Sequence, residues 1–223
     1  MTAPVPRRVE ILHVARRQFA ERGYTETSMR DIADAVGLLA GSLYSHFKSK
    51  AEMVHDIVRG FYDELLPAQR EVLERDGDID GATRYGEMVA AVFDVCSAHS
   101  EELTILHYDW AVLSTLDELA DVNAQSLETL DLWVAVLEAG RLDGSILPSV
   151  DPQIMVRVTT SSIHALLDTV RYSDRPLPQS DLVHRRESLR AALLGGVATT
   201  RSEAPPVAAQ AASTSGAAEV ESS

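Results

Sequence analysis

The feature that most constrains the fold is a pair of short helical patterns on either side of Gly37, within residues 27–50. In the first pattern apolar residues recur at helical spacing and can bury one face; they are Met29, Ile32, Ala33 and Val36. Thr27 stands where it can cap the start of that helix. In the second pattern Leu39, Leu43 and Phe47 stand four apart, so they stack on one side. Because Gly37 can take a positive φ and end the first helix abruptly, the sequence predicts a helix-turn-helix.

The second helix of this pair carries small and polar residues around the rest of its surface. Gly41 has no side chain, so its backbone can approach a phosphate or a base edge closely. Tyr44 offers a hydroxyl to phosphate and a ring face to a thymine methyl group. Singly, each would be an ordinary surface residue, but together they predict a recognition helix in a DNA major groove. The predicted DNA contacts are Thr27, Arg30, Gly41, Ser42, Tyr44, Ser45, His46 and Lys50.

The same stretch resembles the DNA-binding domain of the TetR family of bacterial transcriptional regulators. The matching residues are Thr27, Arg30, Asp31, Ile32, Ala33, Gly37, Gly41, Ser42, Leu43, Tyr44, His46, Phe47, Ser49 and Lys50. Leu39 and Ala40 depart from it, since the family often has Ser or Thr and then Lys there. The resemblance covers about residues 7–60. It implies an all-α protein with an N-terminal three-helix DNA-binding domain and a C-terminal helical ligand-binding and dimerisation domain.

The distribution of charge fits DNA binding although the whole chain has a net charge of −14. Residues 1–50 carry eight Lys and Arg against five Asp and Glu, whereas residues 51–223 carry twelve against twenty-nine. Attraction to DNA depends on the local field, so a small basic domain on an acidic body can still bind. Arg7 and Arg8 are open to two interpretations, a flexible arm that touches phosphate or a minor groove, or a solvated terminus.

Cysteine usage and hydropathy favour a cytoplasmic protein. Cys96 is the only cysteine, so an intramolecular disulfide is impossible, and a buried inert thiol is expected in preference to a redox sensor. No apolar run approaches the ~18 residues of a membrane span. The N-terminus lacks the apolar segment of a secretory signal.

Helical patterns continue to about residue 199. They cover residues 8–22, 49–66, 81–99, 100–113, 118–142, 151–171 and 180–199. The helix 49–66 opens with a capping box, and Pro67 is expected to kink or restart it. We therefore expect a DNA-binding domain over 1–50, a ligand-binding and dimerisation domain over 51–200 and a disordered tail over 201–223, with 49–66 as the connecting helix.

The last two long helices carry small and apolar stripes that suit pairing with a second copy of the chain. The stripes comprise Val158, Ser162, Ala165 and Val170, followed by Leu182, Leu189, Leu193 and Val197. In the TetR family the last two helices form the dimer bundle, so the resemblance implies a homodimer. Packing within one subunit is the alternative interpretation.

Polar residues on the apolar helices of the body predict a small-molecule site, because such sites are mostly apolar with a few hydrogen-bonding groups. The candidates are His107, Tyr108, Trp110, Trp133, Arg157 and His164. We expect an apolar or amphipathic effector. The recognition helix also resembles that of actinobacterial regulators of lipid and steroid breakdown, which implies an acyl-CoA effector. Only Arg157 and Arg171 stand out as cations for the phosphates of coenzyme A.

The sequence favours a repressor that binds a palindromic double-stranded DNA operator as a dimer and is released by a small molecule. The alternative is an all-α enzyme or metal-binding protein with a coincidental helix-turn-helix. No metal ligand set, cofactor or catalytic residue is predicted. His107 and Asp109 are two apart on a helix and point away from each other, and His164 with Asp168 lacks an evident third ligand.

Overall fold

The computed structural model describes residues 6–168 and 177–199, and the regular elements of this part of the chain are helices. The α-helices are α1 (Arg7–Arg22), α2 (Met29–Ala35), α3 (Ala40–Leu43), α4 (Lys50–Glu74), α5 (Gly81–Ala98), α6 (Ser100–Leu113), α7 (Ala120–Leu142), α8 (Pro152–Leu167) and α9 (Gln179–Val197). A short 3₁₀ turn, Asp117–Leu119, precedes α7. Within the described residues the only β pairing is an isolated bridge between Ile146 and Ala198. The predicted all-α class is confirmed.

The first three helices bury apolar residues against one another, and this packing fixes the position of α3. Ile11 and Phe19 of α1 meet Ile32 of α2 and Leu43 of α3, and all four are fully buried. Val9, near the start of α1, is 52% exposed. Gly37 has a φ of 67°, so it provides the predicted turn between α2 and α3.

Helix α2 begins one residue later than the sequence pattern suggested. Ser28 is its N-cap: its hydroxyl accepts from the backbone N–H of Asp31, whose carboxylate accepts from the N–H of Ser28. The prediction of Thr27 as the cap is therefore wrong. Thr27 is instead buried, and its hydroxyl donates to the carbonyl oxygen of Gly23 at 2.9 Å.

Helix α4 is longer than predicted and runs through Pro67 to Glu74. A proline in a helix lacks one backbone N–H, which usually interrupts it. Here burial on both sides of the proline opposes a break, because Leu66, Gln69 and Val72 are all at most 5% exposed. At the other end Ser49 caps the helix by accepting from the N–H of Glu52, while the Glu52 carboxylate accepts from the N–H of Lys48.

The body of the protein is built around α5, which packs against α4, α7, α8 and α9. The start of α5 crosses α7 at two glycines, where a Cβ placed on Gly81 would lie 2.2 Å from the Cα of Gly140. Only glycines allow the two backbones to approach so closely. Asp80 caps α5 by accepting from the N–H of Thr83. These contacts set the spacing of the helices that surround the central cavity.

The start of α8 agrees with the sequence prediction. Asp151 caps α8 by accepting from the N–H of Gln153 and of Ile154, and Pro152 occupies the first turn, as predicted. The predicted end of this helix at residue 171 and the predicted tail over 201–223 lie outside the described residues. Across the described ranges, no helix combines the length and apolarity that a membrane span requires.

A candidate DNA-reading surface and a ligand cavity

Helix α3 is short, but its helical hydrogen bonds continue as tight turns as far as Phe47. The N–H of His46 and that of Phe47 both donate to the carbonyl oxygen of Leu43, at 2.9 and 3.1 Å. Leu43 and Phe47 are buried beneath this segment, at 0 and 1% exposure. The remaining residues of the segment are thus held on the outer surface of the protein.

Five of the predicted DNA contacts share this outer surface. They are Arg30, Gly41, Ser42, Tyr44 and Ser45. The side chain of Arg30 is 85% exposed, and the whole Tyr44 residue is 54% exposed. A Cβ built on Gly41 would meet no atom within 4 Å, so the backbone here is open to a partner. His46 is half-buried at the edge of the same surface.

Two further exposed residues belong to this surface and were missed from the sequence. Leu39 was assigned to the buried stripe, but it is the N-cap of α3 with extended backbone angles and is 81% exposed. Its apolar side chain suits a thymine methyl group. Lys48 is also exposed, just beyond the turn at Phe47. A lysine adjacent to recognition residues is an obvious signal for a phosphate contact.

Thr27 and Lys50 do not face outward, in contrast to the prediction for both. The Nζ of Lys50 donates to the carbonyl oxygens of Tyr24 and Thr27, at 2.5 and 2.8 Å, and lies 4.2 Å from the centre of the Tyr24 ring. Desolvation lowers the pKa of this ammonium group. Lys50 therefore fastens the loop between α1 and α2 to the start of α4, and Thr27 closes that loop from within.

Arg7 and Arg8 also hold together the N-terminal helical unit, residues 1–50, which we call the head. Their contacts fit neither a flexible arm that reaches DNA nor a solvated terminus. Arg8 donates to the carbonyl oxygen of His46 at 2.5 Å and to Asp56 at 2.6 Å, and its guanidinium lies over the Phe47 ring. Arg7 donates to the carbonyl oxygen of Val36. Arg8 thus ties the end of the recognition segment to α4.

A cavity of about 290 Å³ lies in the body, enclosed by α4, α5, α6, α7 and α8. Most of its wall is apolar. The lining residues are Phe61, Tyr62, Leu65, Val92, Cys96, Leu103, Leu106, His107, Trp110, Ser126, Thr129, Leu130, Trp133, Thr160, Ser161, Ile163 and His164. None of them is a lysine, arginine or carboxylate. Cys96 is buried as expected, and burial raises the pKa of its thiol to about 12.

Four of the six predicted ligand residues line this cavity, namely His107, Trp110, Trp133 and His164. Tyr108 does not line it, since its hydroxyl donates to the Oδ2 of Asp168 at 2.6 Å on the outside of α6. Arg157 is exposed on the outer face of α8, and Arg171 lies outside the described residues. The aromatic residues of α4, Phe61 and Tyr62, were missed because α4 was assigned to the link alone.

Two histidines stack against each other in the cavity wall. The rings of His107 and His164 are nearly parallel, with centroids 3.5 Å apart. Burial lowers the pKa of His164, the neighbouring His107 lowers it further, and Asp168 acts in the opposite direction. The uncharged imidazole is therefore the favoured form of His164 near neutral pH, as an apolar cavity requires.

Comparison with known proteins identifies the family. A family model described as "Bacterial regulatory proteins, tetR family" matches residues 11–57. The HTH-type transcriptional repressor KstR2 of Rhodococcus jostii (strain RHA1) is 36% identical over 151 residues, which are 68% of this chain and 73% of the relative. This chain belongs to the TetR family. KstR2 of Mycobacterium tuberculosis (strain ATCC 25618 / H37Rv) is 34% identical over 68% of this chain and 74% of its own length.

Solved TetR-family structures agree with the fold. The ketosteroid transcriptional regulator KstR2 of Mycobacterium tuberculosis superimposes with a TM-score of 0.76 at 29% identity, covering 89% of this chain and 98% of that chain. The probable transcriptional regulatory protein RHA5900 gives a TM-score of 0.73 at 30% identity, over 86% of this chain and 100% of the other. As a TetR-family member the chain is a DNA-binding transcriptional regulator and not an enzyme.

The DNA-reading head of this TetR-family chain contacts the body through α6 as well as through α4. Arg16 of α1 donates to Glu101 at 2.6 Å and to the buried Glu102 at 2.9 Å. The N–H of Tyr24 donates to Asp109 at 3.0 Å. Glu101 and Glu102 lie in the first turn of α6, and no sequence pattern indicates their partner in α1. The opposite side of α6 supplies four residues to the cavity wall.

Proposed function

We propose that this regulator is a repressor that binds a palindromic operator as a homodimer and is released when a small molecule enters the cavity of the body. The exposed surface formed by Gly41, Ser42, Tyr44 and Ser45, held rigidly by buried Leu43 and Phe47, carries this proposal. The relatives named KstR2 are transcriptional repressors, which supports repression over activation.

The proposed dimer uses the outward faces of α8 and α9. The exposed residues at helical spacing are Ile154, Val158 and Ala165 on α8, with His184, Ser188, Ala191 and Gly195 on α9. Ile154 and Val158 are 63% and 45% exposed and form the apolar part of this face. By contrast, Leu189 and Leu193 are each 7% exposed within the subunit. These two leucines hold α9 to its own chain and do not form the dimer stripe.

The proposed effector is apolar or amphipathic. Because no lysine or arginine lines the cavity, a group with several negative charges would be buried there without a partner. An acyl-CoA could place only its acyl part inside and would leave its phosphates at the surface. A volume of about 290 Å³ fits a compact ring system. The KstR2 relative of known structure is named a ketosteroid regulator, which favours an effector from steroid or lipid breakdown.

We propose that the effector acts on DNA binding through α6. A molecule that presses on Leu103, Leu106 or Trp110 would shift this helix, and the shift would reach the head through Arg16 and Tyr24. Release requires the effector to bind the shifted state more tightly, and the operator must then weaken effector binding equally. A coupling of about 1–3 kcal/mol would give roughly 5–150-fold release.

The domain division belongs to the same proposal. A head over residues 1–50 and a body over 51–200 share α4, whose first turns contact α1 and whose later turns line the cavity. The connecting helix is therefore part of both units. An effector that touches Phe61 or Tyr62 would act on α4 directly, in parallel with α6.

The test is to select bound duplexes from a random-sequence pool and then to measure the affinity of variants for the selected operator. We expect a palindrome whose half-sites lie about one DNA turn apart, ~34–36 Å. Tyr44→Ala and Gly41→Ala should each lower affinity by roughly 1–3 kcal/mol per half-site, the size of one lost base contact. Leu142→Ala, at an 89% exposed site at the end of α7, is the control. A pool without sequence preference, or a Tyr44→Ala protein with unchanged affinity, would refute the assignment.

A further inference from the structure

The cavity wall contains two buried polar atoms that have no hydrogen-bond partner among the described residues. They are the indole Nε1 of Trp133 and the Nε2 of His164. Trp133 is fully buried and His164 is 6% exposed, so bulk water does not satisfy either atom. Buried polar groups in proteins are nearly always paired, and an unpaired one calls for a specific reason. The side chains that carry these atoms, Trp133 and His164, both line one cavity, which points to a bound molecule as their partner.

The orientation of the Trp133 ring is fixed by contacts with neighbouring side chains. Tyr85 of α5 packs edge-on against it, with ring centroids 5.9 Å apart. The Tyr85 hydroxyl is in turn hydrogen-bonded to the Thr159 hydroxyl of α8 at 2.6 Å. The indole of α7 is therefore positioned by side chains from two other helices. A fixed N–H in an apolar wall is well suited to recognise one oxygen atom.

Two of the hydroxyl groups in the same wall do not compete for this role. Thr129 donates its hydroxyl hydrogen to the carbonyl oxygen of Gln125, and Thr160 donates to that of Val156. Their oxygens can still accept, but their hydrogens are committed to their own helices. An indole N–H can only donate. The group that faces Trp133 must therefore be a hydrogen-bond acceptor.

We infer that the effector is an apolar ring compound that carries an uncharged carbonyl oxygen, and that the Nε1–H of Trp133 donates to this oxygen. This inference rests on the proposed function of the cavity as the effector site. A carboxylate is disfavoured because no cation lines the cavity to offset its charge. A plain hydrocarbon is disfavoured because it would leave the indole N–H unpaired. Ketones, esters and thioesters all present the required oxygen.

The test compares two probes that differ in one oxygen, 1-tetralone and its parent hydrocarbon tetralin, by titration calorimetry at pH 7.5. In the Trp133→Phe variant the ratio of tetralone to tetralin affinity should fall by about fivefold relative to the wild type, the size of one hydrogen bond. The control is Trp110→Phe, because Trp110 lines the same cavity but its indole nitrogen is not left unpartnered in the interior. The ratio should be unchanged in that variant.

A second readout does not depend on affinity. The chain has two tryptophans, so a ¹⁵N spectrum shows two indole signals, which Trp110→Phe assigns. Tetralone should shift the Trp133 signal downfield, and tetralin should not. Equal ratios in the wild type and Trp133→Phe, or no binding of tetralone, would overturn the inference. Operator affinity is measured on the same samples without probe. A negative probe result with intact operator binding overturns only the role of Trp133. A positive probe result without operator binding overturns only the DNA-binding assignment.

Discussion

The backbone N–H of Tyr24 donates to the Oδ2 of Asp109 across 3.0 Å, although 85 residues separate the two in the sequence. Tyr24 lies in the loop that precedes the helix-turn-helix, and Asp109 lies on α6 between the cavity residues His107 and Trp110. Gly23 is packed against the same carboxylate, which would lie 3.5 Å from a Cβ at that position. The loop before the helix-turn-helix is thus bonded to a helix that forms a wall of the cavity.

Removing this acceptor should loosen the head without unfolding it. Asp109→Ala leaves the buried N–H of Tyr24 without a partner, which should lower the free energy of unfolding by about 1–3 kcal/mol. Amide hydrogen exchange at Tyr24 should become faster. Asp109→Asn retains a side-chain oxygen and serves as the matched control. If exchange at Tyr24 is equally slow in both variants, the bond does not connect α6 to the head.

The two lysines that flank Ser49 should behave differently on DNA. Lys48 is exposed, so Lys48→Ala should flatten the dependence of log affinity on log salt concentration by about one. The Nζ of Lys50 is bonded to carbonyl oxygens of the head, so Lys50→Met should lower the melting temperature and leave the salt slope unchanged. Fluorescence anisotropy across a salt series measures both slopes. A flatter dependence of log affinity on log salt concentration in Lys50→Met would show that Lys50 contacts phosphate after all.

Charges on the outward stripe of α8 and α9 should separate the proposed dimer. Val158→Glu combined with Ala191→Glu introduces like charges on both copies of an apolar surface, and sedimentation should show folded monomers with little operator affinity. Leu189→Asp should instead unfold the subunit, because it buries a charge against its own core. A Val158→Glu, Ala191→Glu protein that still sediments as a dimer would place the interface elsewhere.

Stability should fall on mild acidification, in part through His164. Burial, followed by the charge of His107, lowers the pKa of this group in the folded protein, with Asp168 opposing and Tyr108 packed against the ring. As the pH falls through the ordinary histidine pKa of about 6.5, His164 therefore takes up a proton in the unfolded chain before it does so in the folded protein. The contribution of His164 is complete above that value and is lost as the pH falls through the folded pKa.

His164→Leu removes this titration. Urea unfolding at several pH values between 5 and 8 should show a flatter pH dependence in the variant than in the wild type. The difference between the two curves isolates His164 from the other titrating groups. Parallel curves would show that the pKa of His164 does not change on folding.

The features that the sequence predicted correctly depend on residues close together in the chain. Helical spacing and a positive-φ glycine at Gly37 specify the turn of the helix-turn-helix, because both act over a few residues. The cap by Asp151 before Pro152 is local in the same sense. The four-residue spacing correctly predicted that Leu43 and Phe47 are buried, but it placed Leu39 on the same buried face, where the residue is 81% exposed.

The direction of individual side chains was decided by the tertiary structure. Lys50 matches a DNA-contact pattern, yet carbonyl groups of the α1–α2 loop, more than twenty residues away in the chain, accept its hydrogen bonds. The helix through Pro67 is sustained by burial against other helices, which no local pattern encodes. The cavity likewise draws its wall from five helices, so its members share no sequence signal. Local spacing fixes the helices and their turns, whereas contacts between residues far apart in the chain decide which side chains remain free to bind.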